Sequence, residues 1–242
     1  MSLPDVSGAA GPGRRRSPPP RRTLVGLLAL LLTAQYFLAE AVTAAGWVSP
    51  TYSFTRRYIS DLGVTDCAVL SGRDVCSPLH AVMNTAFFVQ GLLVLVAVVT
   101  LSPNIPWGVP RWAVTLLWTT HAVGVAMVGL FPESLEAEAV GNPLHGAGAV
   151  LAIGGGNLAT VATGLAIRRY TCDGPRAAPA AVRFAAYSVL SGVLGLSSLL
   201  VFDVLRPAEL GLWERLAANP VTLWCMVAGL VGLLAPPGRS AR

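Results

Sequence analysis

Charged and polar positions along the chain fall into clusters, and between the clusters lie six long apolar stretches, at 23–47, 79–101, 112–131, 144–167, 184–205 and 221–235. Each approaches the ~20 residues that a helix rising 1.5 Å per residue needs to cross about 30 Å of hydrocarbon. The sixth is short and must borrow from its flanks. None alternates apolar with polar residues at period two, as a membrane-barrel strand does. The pattern predicts an all-α polytopic membrane protein, a six-transmembrane-helix bundle over 23–235. A Gly-, Pro-, Ser- and Arg-rich tail at 1–22 cannot build a core and is expected to be disordered. A second short tail covers 236–242.

Composition agrees with the pattern. Hydrophobic residues make up 54% of the chain and charged residues 12%, with a mean hydropathy of +0.62. The charged share is about half that of an ordinary soluble domain. All 17 basic residues are arginine. With the N-terminus inside, twelve arginines fall in inner segments (14, 15, 16, 21, 22, 111, 168, 169, 176, 183, 239 and 242) and five in outer ones (56, 57, 73, 206 and 215). That asymmetry follows the positive-inside rule and predicts that both termini are cytoplasmic. The net charge of +5 therefore reflects topology and makes no case for nucleic acid, which would want a basic face with interleaved aromatics. Arg21 and Arg22 ahead of 24–32, with small residues at 42–46, resemble a cleavable leader. The apolar core is longer than such leaders have and Glu40 sits near its end, so a retained span is expected.

The long outer segment is 48–78. It carries Cys67 and Cys76 on the side where disulfides persist, and a bridge between them is expected. Cys172 and Cys225 are expected to be free thiols. No cysteine or histidine spacing matches a zinc or redox motif, so no cofactor or metal is expected. On the fourth apolar stretch Gly148, Ala152, Gly156, Thr160 and Gly164 recur every four residues, a small-residue face on which helices approach closely. That face serves bundle packing or, alternatively, docking of a homo- or hetero-oligomeric partner.

Ionisable groups inside a membrane cost about 2.5–3.5 kcal/mol at the centre on insertion scales, so each calls for a partner. Glu40 shares a face with Tyr36 and Thr33, and His121 lies near the midplane. Asp61, His80, Asn84, His145, Asp203, Glu214 and Arg215 all fall toward the outer boundary, the last two just ahead of the sixth helix. They form the candidate ligand-binding cluster, with Arg215 expected beside Asp61 or Glu214. Three readings stay open: a non-enzymatic protein that binds or handles a lipid or other small amphiphile; a membrane-embedded lipid hydrolase or transferase using His80, His145 and nearby acids; and a structural partner subunit. No Gly-x-Ser-x-Gly setting marks a nucleophile, and no catalytic residue is assigned.

The run Tyr58-Ile59-Ser60-Asp61-Leu62-Gly63 is followed by Ser77-Pro78-Leu79-His80, Met83-Asn84 and Gly91. Gly129-Leu130-Phe131-Pro132 then ends the third helix, His145-Gly146 opens the fourth, and Glu214-Arg215 comes late. In this order the motifs resemble the bacterial and archaeal membrane family known as domain of unknown function 998, over roughly 24–235. A more distant similarity is to the Frag1/DRAM/Sfk1 membrane proteins. The resemblance implies a multi-pass protein of the bacterial plasma membrane, with membrane lipids as partners. It assigns no activity, and His121, Glu40 and the cysteine pair lie outside its pattern.

Overall fold

The computed structural model describes residues 19–48, 51–105, 108–172, 179–205 and 207–234, so the expected tails (1–18 and beyond 234) and the Cys172 side chain lie outside the described part. Six helical spans, long and apolar enough to cross a membrane, make an all-α polytopic bundle. The first consists of α1 (Arg21–Leu32) and α2 (Gln35–Ala45). The others are α3 (His80–Leu101), α4 (Val109–Leu130), α6 (Pro143–Ile167), α7 (Pro179–Leu200) and α8 (Leu210–Leu234). A short α5 (Leu135–Ala139) lies between α4 and α6. α1 takes in Arg21 and Arg22, which were expected in the disordered tail.

Two elements depart from the apolar pattern. The first span is broken at Thr33 and Ala34, whose amides donate to Leu30 and Leu31 three residues back. The Thr33 hydroxyl donates to the Leu30 carbonyl at 2.6 Å, the kind of back-bonding that bends helices. The Gln35 amide then donates to the Ala86 carbonyl of α3 at 3.0 Å. The last helix starts at Leu210, well before the expected 221, with Glu214, Arg215 and Pro220 inside it. A proline here removes one helical hydrogen bond and crowds the preceding turn. The Asn157 amide of α6 donates to the Ala217 carbonyl at 2.8 Å, and Ser191 of α7 donates to the Pro220 carbonyl at 3.3 Å. Neighbouring helices thus satisfy carbonyls around the proline, as the bilayer requires.

The small-residue face of α6 is used inside the chain, and all five of its residues are buried. A Cβ at Gly148 would meet Met127 and the Gly124 carbonyl of α4; one at Gly164 would meet the Ala185 carbonyl and Ser188 of α7. Gly156 sits between His121 of α4 and Val221 of α8. The face expected as a possible partner surface is therefore covered by α4, α7 and α8.

One end of the bundle is capped by two loops. In the first, β1 (Ala68–Leu70) and β2 (Arg73–Val75) pair antiparallel, with Leu70 opposite Arg73. Ser71 and Gly72 form the two-residue turn with φ of +47° and +76°, the left-handed pair that matches the strands' twist. The Cys67–Cys76 disulfide closes the hairpin one position beyond the Ala68–Val75 pair. Glu138 of α5 accepts from the Ser71 amide and hydroxyl, and Asp66 accepts from the Leu135 amide at 2.8 Å. The two loops therefore hold each other over this end of the bundle, the hairpin end.

Candidate functional site

Beneath those loops lies a cavity of about 960 Å³, walled by all six spans. Its depth follows from helical stripes. His121, Val125 and Val128 line it on α4; His145, Ala149, Ala152 and Ile153 on α6; Glu214, Ala218 and Thr222 on α8. His121 is nine residues from Leu130 at the end of α4, which places it about 14 Å below the mouth at 1.5 Å per residue. Leu196, Leu199 and Leu200 of α7, with Phe202 in the helical turn Val201–Leu205 that follows it, form the facing side. The walls between are mostly apolar, the deep end carries Gln90, His121 and Thr222, and the charges gather near the mouth. Val150 of α6 and Leu200 of α7 are the most exposed apolar residues of the lining, at 67% and 64%.

The mouth is organised by one ionic chain. Asp61, fully buried in a short helical turn at Ser60–Gly63, accepts from the Tyr58 amide at 3.0 Å and from Arg73 Nε and Nη2 at 3.2 and 3.1 Å. Arg73 Nη2 also donates to Glu133 Oε2 at 3.3 Å, and its guanidinium lies 4.4 Å from the Tyr58 ring centre. Glu133 Oε1 stands 3.6 Å from His145 Nε2. His145 Nδ1 is 3.0 Å from the Phe131 carbonyl, which can only accept, so Nδ1 carries a proton. Burial pushes the Asp61 carboxyl above its ordinary range, against the opposing pull of Arg73. Burial likewise raises the Tyr58 phenol, which stays a neutral donor.

The seven candidate residues share the hairpin end but divide between cavity wall and scaffold. His145, Asp203 and Glu214 line the cavity. Asp61 reaches it only through Arg73. His80 and Asn84 do not line it: His80 Nδ1 donates to the Ser77 carbonyl at 3.0 Å, and Asn84 donates to the Gly63 carbonyl at 2.8 Å. Together with the Ser77 hydroxyl on the Leu62 carbonyl, these bonds fasten the Ser60–Gly63 turn to α3.

Arg215 corrects the expected pairing. Its Nε donates to Glu40 at 2.8 Å, Nη2 to the Tyr52 hydroxyl at 2.6 Å, and Nη1 to the carbonyls of Phe54, Arg57 and Gly211. It clamps the first loop to α2 and α8 and does not line the cavity. Residues adjacent on a helix point about 100° apart, so Glu214 turns to the cavity while Arg215 turns to the loop. Glu214 accepts from the Ile59 amide at 2.5 Å and makes no salt bridge among the described residues.

Sequence reasoning passed over Arg73 and Glu133. A signal existed for both: Glu133 directly follows the Phe131-Pro132 motif, and Arg73 lies in the disulfide loop beside Asp61. His121 was set apart by its depth, yet the cavity extends down to it. Its Nδ1 donates to the Ala152 carbonyl at 2.7 Å and its Nε2 is buried without a partner. Among the described residues no three His, Cys, Asp or Glu side chains are placed to share a metal ion.

A profile of the family described as protein of unknown function (DUF998) matches residues 34–231. The chain belongs to this family. The match takes in α2, the five later spans almost to the end of α8, and both capping loops, while α1 lies ahead of it, and the family's description names no activity. No curated protein and no solved structure matches the chain significantly. In this family member the resembling motifs form one unit: Asp61, Gly63, Ser77, His80 and Asn84 build the loop scaffold, while Gly91 and Gly129 are points where α3 and α4 cross backbone to backbone.

Proposed function

We propose that this membrane protein holds a lipid or other small amphiphile in the cavity at its hairpin end, with the chain between the spans and the polar group at the Arg73–Glu133–His145 mouth. The observation that carries this reading is the cavity's division into mostly apolar walls and a charged mouth, with exposed Val150 and Leu200 in its α6–α7 side. Ligand sites of about 300–1,000 Å³ bury most of a small ligand, so the volume suits one chain or a short lipid. The arginine asymmetry supports cytoplasmic termini, which places the hairpin end and its disulfide outside a bacterial plasma membrane.

The test is native mass spectrometry of protein purified in a neutral detergent. Wild type should carry a bound amphiphile, and Ala149→Trp, which fills the cavity from α6, should lose it while unfolding at a similar temperature. Equal amphiphile on both would place the lipid on the outer surface of the bundle and refute the reading. The hydrolase alternative needs His80 and His145 to act together, and only His145 reaches the cavity.

A further inference from the structure

We propose that the end of the bundle opposite the hairpin seats one anionic phospholipid, a second lipid site that does not depend on the first. Charge is sorted along the bundle. Arg21 and Arg22 open α1, Arg111 stands in the first turn of α4, Arg168 and Arg169 follow α6, and Arg183 lies near the start of α7. These arginines all come to this end, and every Asp and Glu among the described residues lies in the hairpin half. The start of α4 and the end of α6 meet here, because a Cβ at Gly108 would stand 3.8 Å from the Tyr170 hydroxyl. Trp112, 63% exposed, follows Arg111, and Tyr170, 41% exposed, follows Arg169. Exposed aromatics of this kind mark the headgroup level of a bilayer. Basic pockets between spans at that level are where anionic headgroups bind.

Charge alone would gather lipid loosely, and packing provides the seat. An apolar cavity of about 190 Å³ lies among α1, α3, α4, α6 and α8 at this end, with Leu27, Leu30, Leu101 and Val114 in its walls. At its deep end Trp118 donates to the Thr163 hydroxyl at 3.0 Å and stacks on Trp224 with ring centres 4.9 Å apart. Walls around an apolar void forgo dispersion contacts, so an alkyl chain is favoured there over water. The volume falls below the ~300–1,000 Å³ of sites that enclose a whole ligand, so it takes part of one chain and leaves the headgroup outside. Arg111 marks where that headgroup lies. It precedes Thr115 by four residues, one turn nearer the surface on the same helical face, and Val114 and Thr115 line the cavity. On the other side, Arg22 of α1 donates to the Val99 carbonyl of α3 at 2.6 Å, and Asn104 donates to Thr23 at 3.4 Å. The lining residues Ser102 and Ile105, which flank exposed Pro103 and Asn104, are half-buried. The phosphate sits between Arg111 and Arg22, with one chain running in past Ile105 toward the two tryptophans.

The experiment measures binding of three probes to protein in a neutral detergent: dioleoyl phosphatidylglycerol, dioleoyl phosphatidylcholine, and glycerol phosphate, which has the anionic group and no chain. Phosphatidylglycerol should bind at least about fivefold more tightly than phosphatidylcholine, the scale of one arginine at a headgroup surface. Arg111→Gln should erase that preference, and Arg111→Lys should keep most of it. Arg183→Gln removes the same charge from α7, which does not line this cavity, and should change the preference little. Ala228→Leu fills the cavity from α8 and should weaken both phospholipids while unfolding at a similar or higher temperature. Ala149→Trp, in the hairpin-end cavity, should leave the preference intact. Equal binding of the two phospholipids, or a preference that survives Arg111→Gln or is lost in Arg111→Lys, would overturn the headgroup site. Equal losses in Arg111→Gln and Arg183→Gln would reduce it to diffuse attraction and overturn it too. Glycerol phosphate binding as tightly as phosphatidylglycerol, or Ala228→Leu binding as wild type does, would overturn the chain's seat. A preference lost in Ala149→Trp would move the lipid to the hairpin end and refute a second site.

Discussion

Replacing Arg73 with methionine isolates the ionic chain at the cavity mouth. The substitution keeps much of the aliphatic stem and removes the guanidinium. Asp61 is then left fully buried, with the Tyr58 amide as its remaining donor. Breaking a buried ion pair by deleting one partner costs about 3–5 kcal/mol. Arg73 is itself 22% exposed, so some water reaches the pair and the lower end, about 3 kcal/mol, is expected. Loss of the guanidinium over the Tyr58 ring adds about 0.5–1 kcal/mol. The deficit must depend on pH. Burial already raises the Asp61 pKa above its ordinary 3.8, so the folded state holds this proton more tightly than the unfolded state does. Stability from that proton is full below 3.8 and is lost as pH rises through the folded value. Without Arg73 the folded value rises further, so Arg73→Met should be weakest near neutral pH and approach wild type in acid. Asp61→Asn in the same background should recover most of the loss, because an amide needs no counter-ion. Equilibrium unfolding in detergent at pH 7 and pH 4 measures all four members of the cycle. A deficit that is equal at both pH values, or that Asp61→Asn leaves untouched, would refute the argument.

Further outcomes follow from other contacts. Arg215→Met should destabilise by about 3 kcal/mol, because Glu40 is left buried without its partner; Glu40→Gln should cost much less, and unfolding of both variants checks the order. Removing the disulfide with Cys67→Ser and Cys76→Ser should cost about 2–3 kcal/mol in the chain-entropy model. Limited proteolysis should then cut the first loop faster while the six spans persist, and peptide mapping without reductant should recover Cys67 linked to Cys76 from wild type. Gly148→Leu should disrupt the α4–α6 contact and cost about 1–3 kcal/mol, the usual range for overpacking. Single cysteines at Ser7 and Asp74, in a background without native cysteines, should label from opposite sides of the membrane. Labelling of both from outside would overturn the orientation.

The spans were legible because membrane insertion is written in apolar length, which needs no knowledge of tertiary contacts. The face shared by Thr33, Tyr36 and Glu40 was also legible, because helical period alone aligns it, and all three are buried. The start of α8 was hidden for the opposite reason. Glu214, Arg215 and Pro220 end an apolar window, and only tertiary partners show that a helix tolerates them: Glu40 and Tyr52 for Arg215, Asn157 near Pro220. Glu40 and Arg215 are 175 positions apart, so no local rule pairs them. The candidate site divided in the same way. His145 stood out because it opens a helix beside the small-residue face. Arg73 and Glu133 come from two separate loops, and their meeting depends on a hairpin turn locked against α5. His80 and Asn84 share a helical face as expected, but that face meets the first loop and not the cavity.

If the cavity between the spans holds one amphiphile, an experimental map of the wild-type protein in lipid nanodiscs should show it. Elongated density should run from the floor at His121 to the mouth at Arg73, Glu133 and Glu214, with its polar end at the mouth. A cavity filled by discrete waters, or closed by α7 packing onto α6, would contradict it.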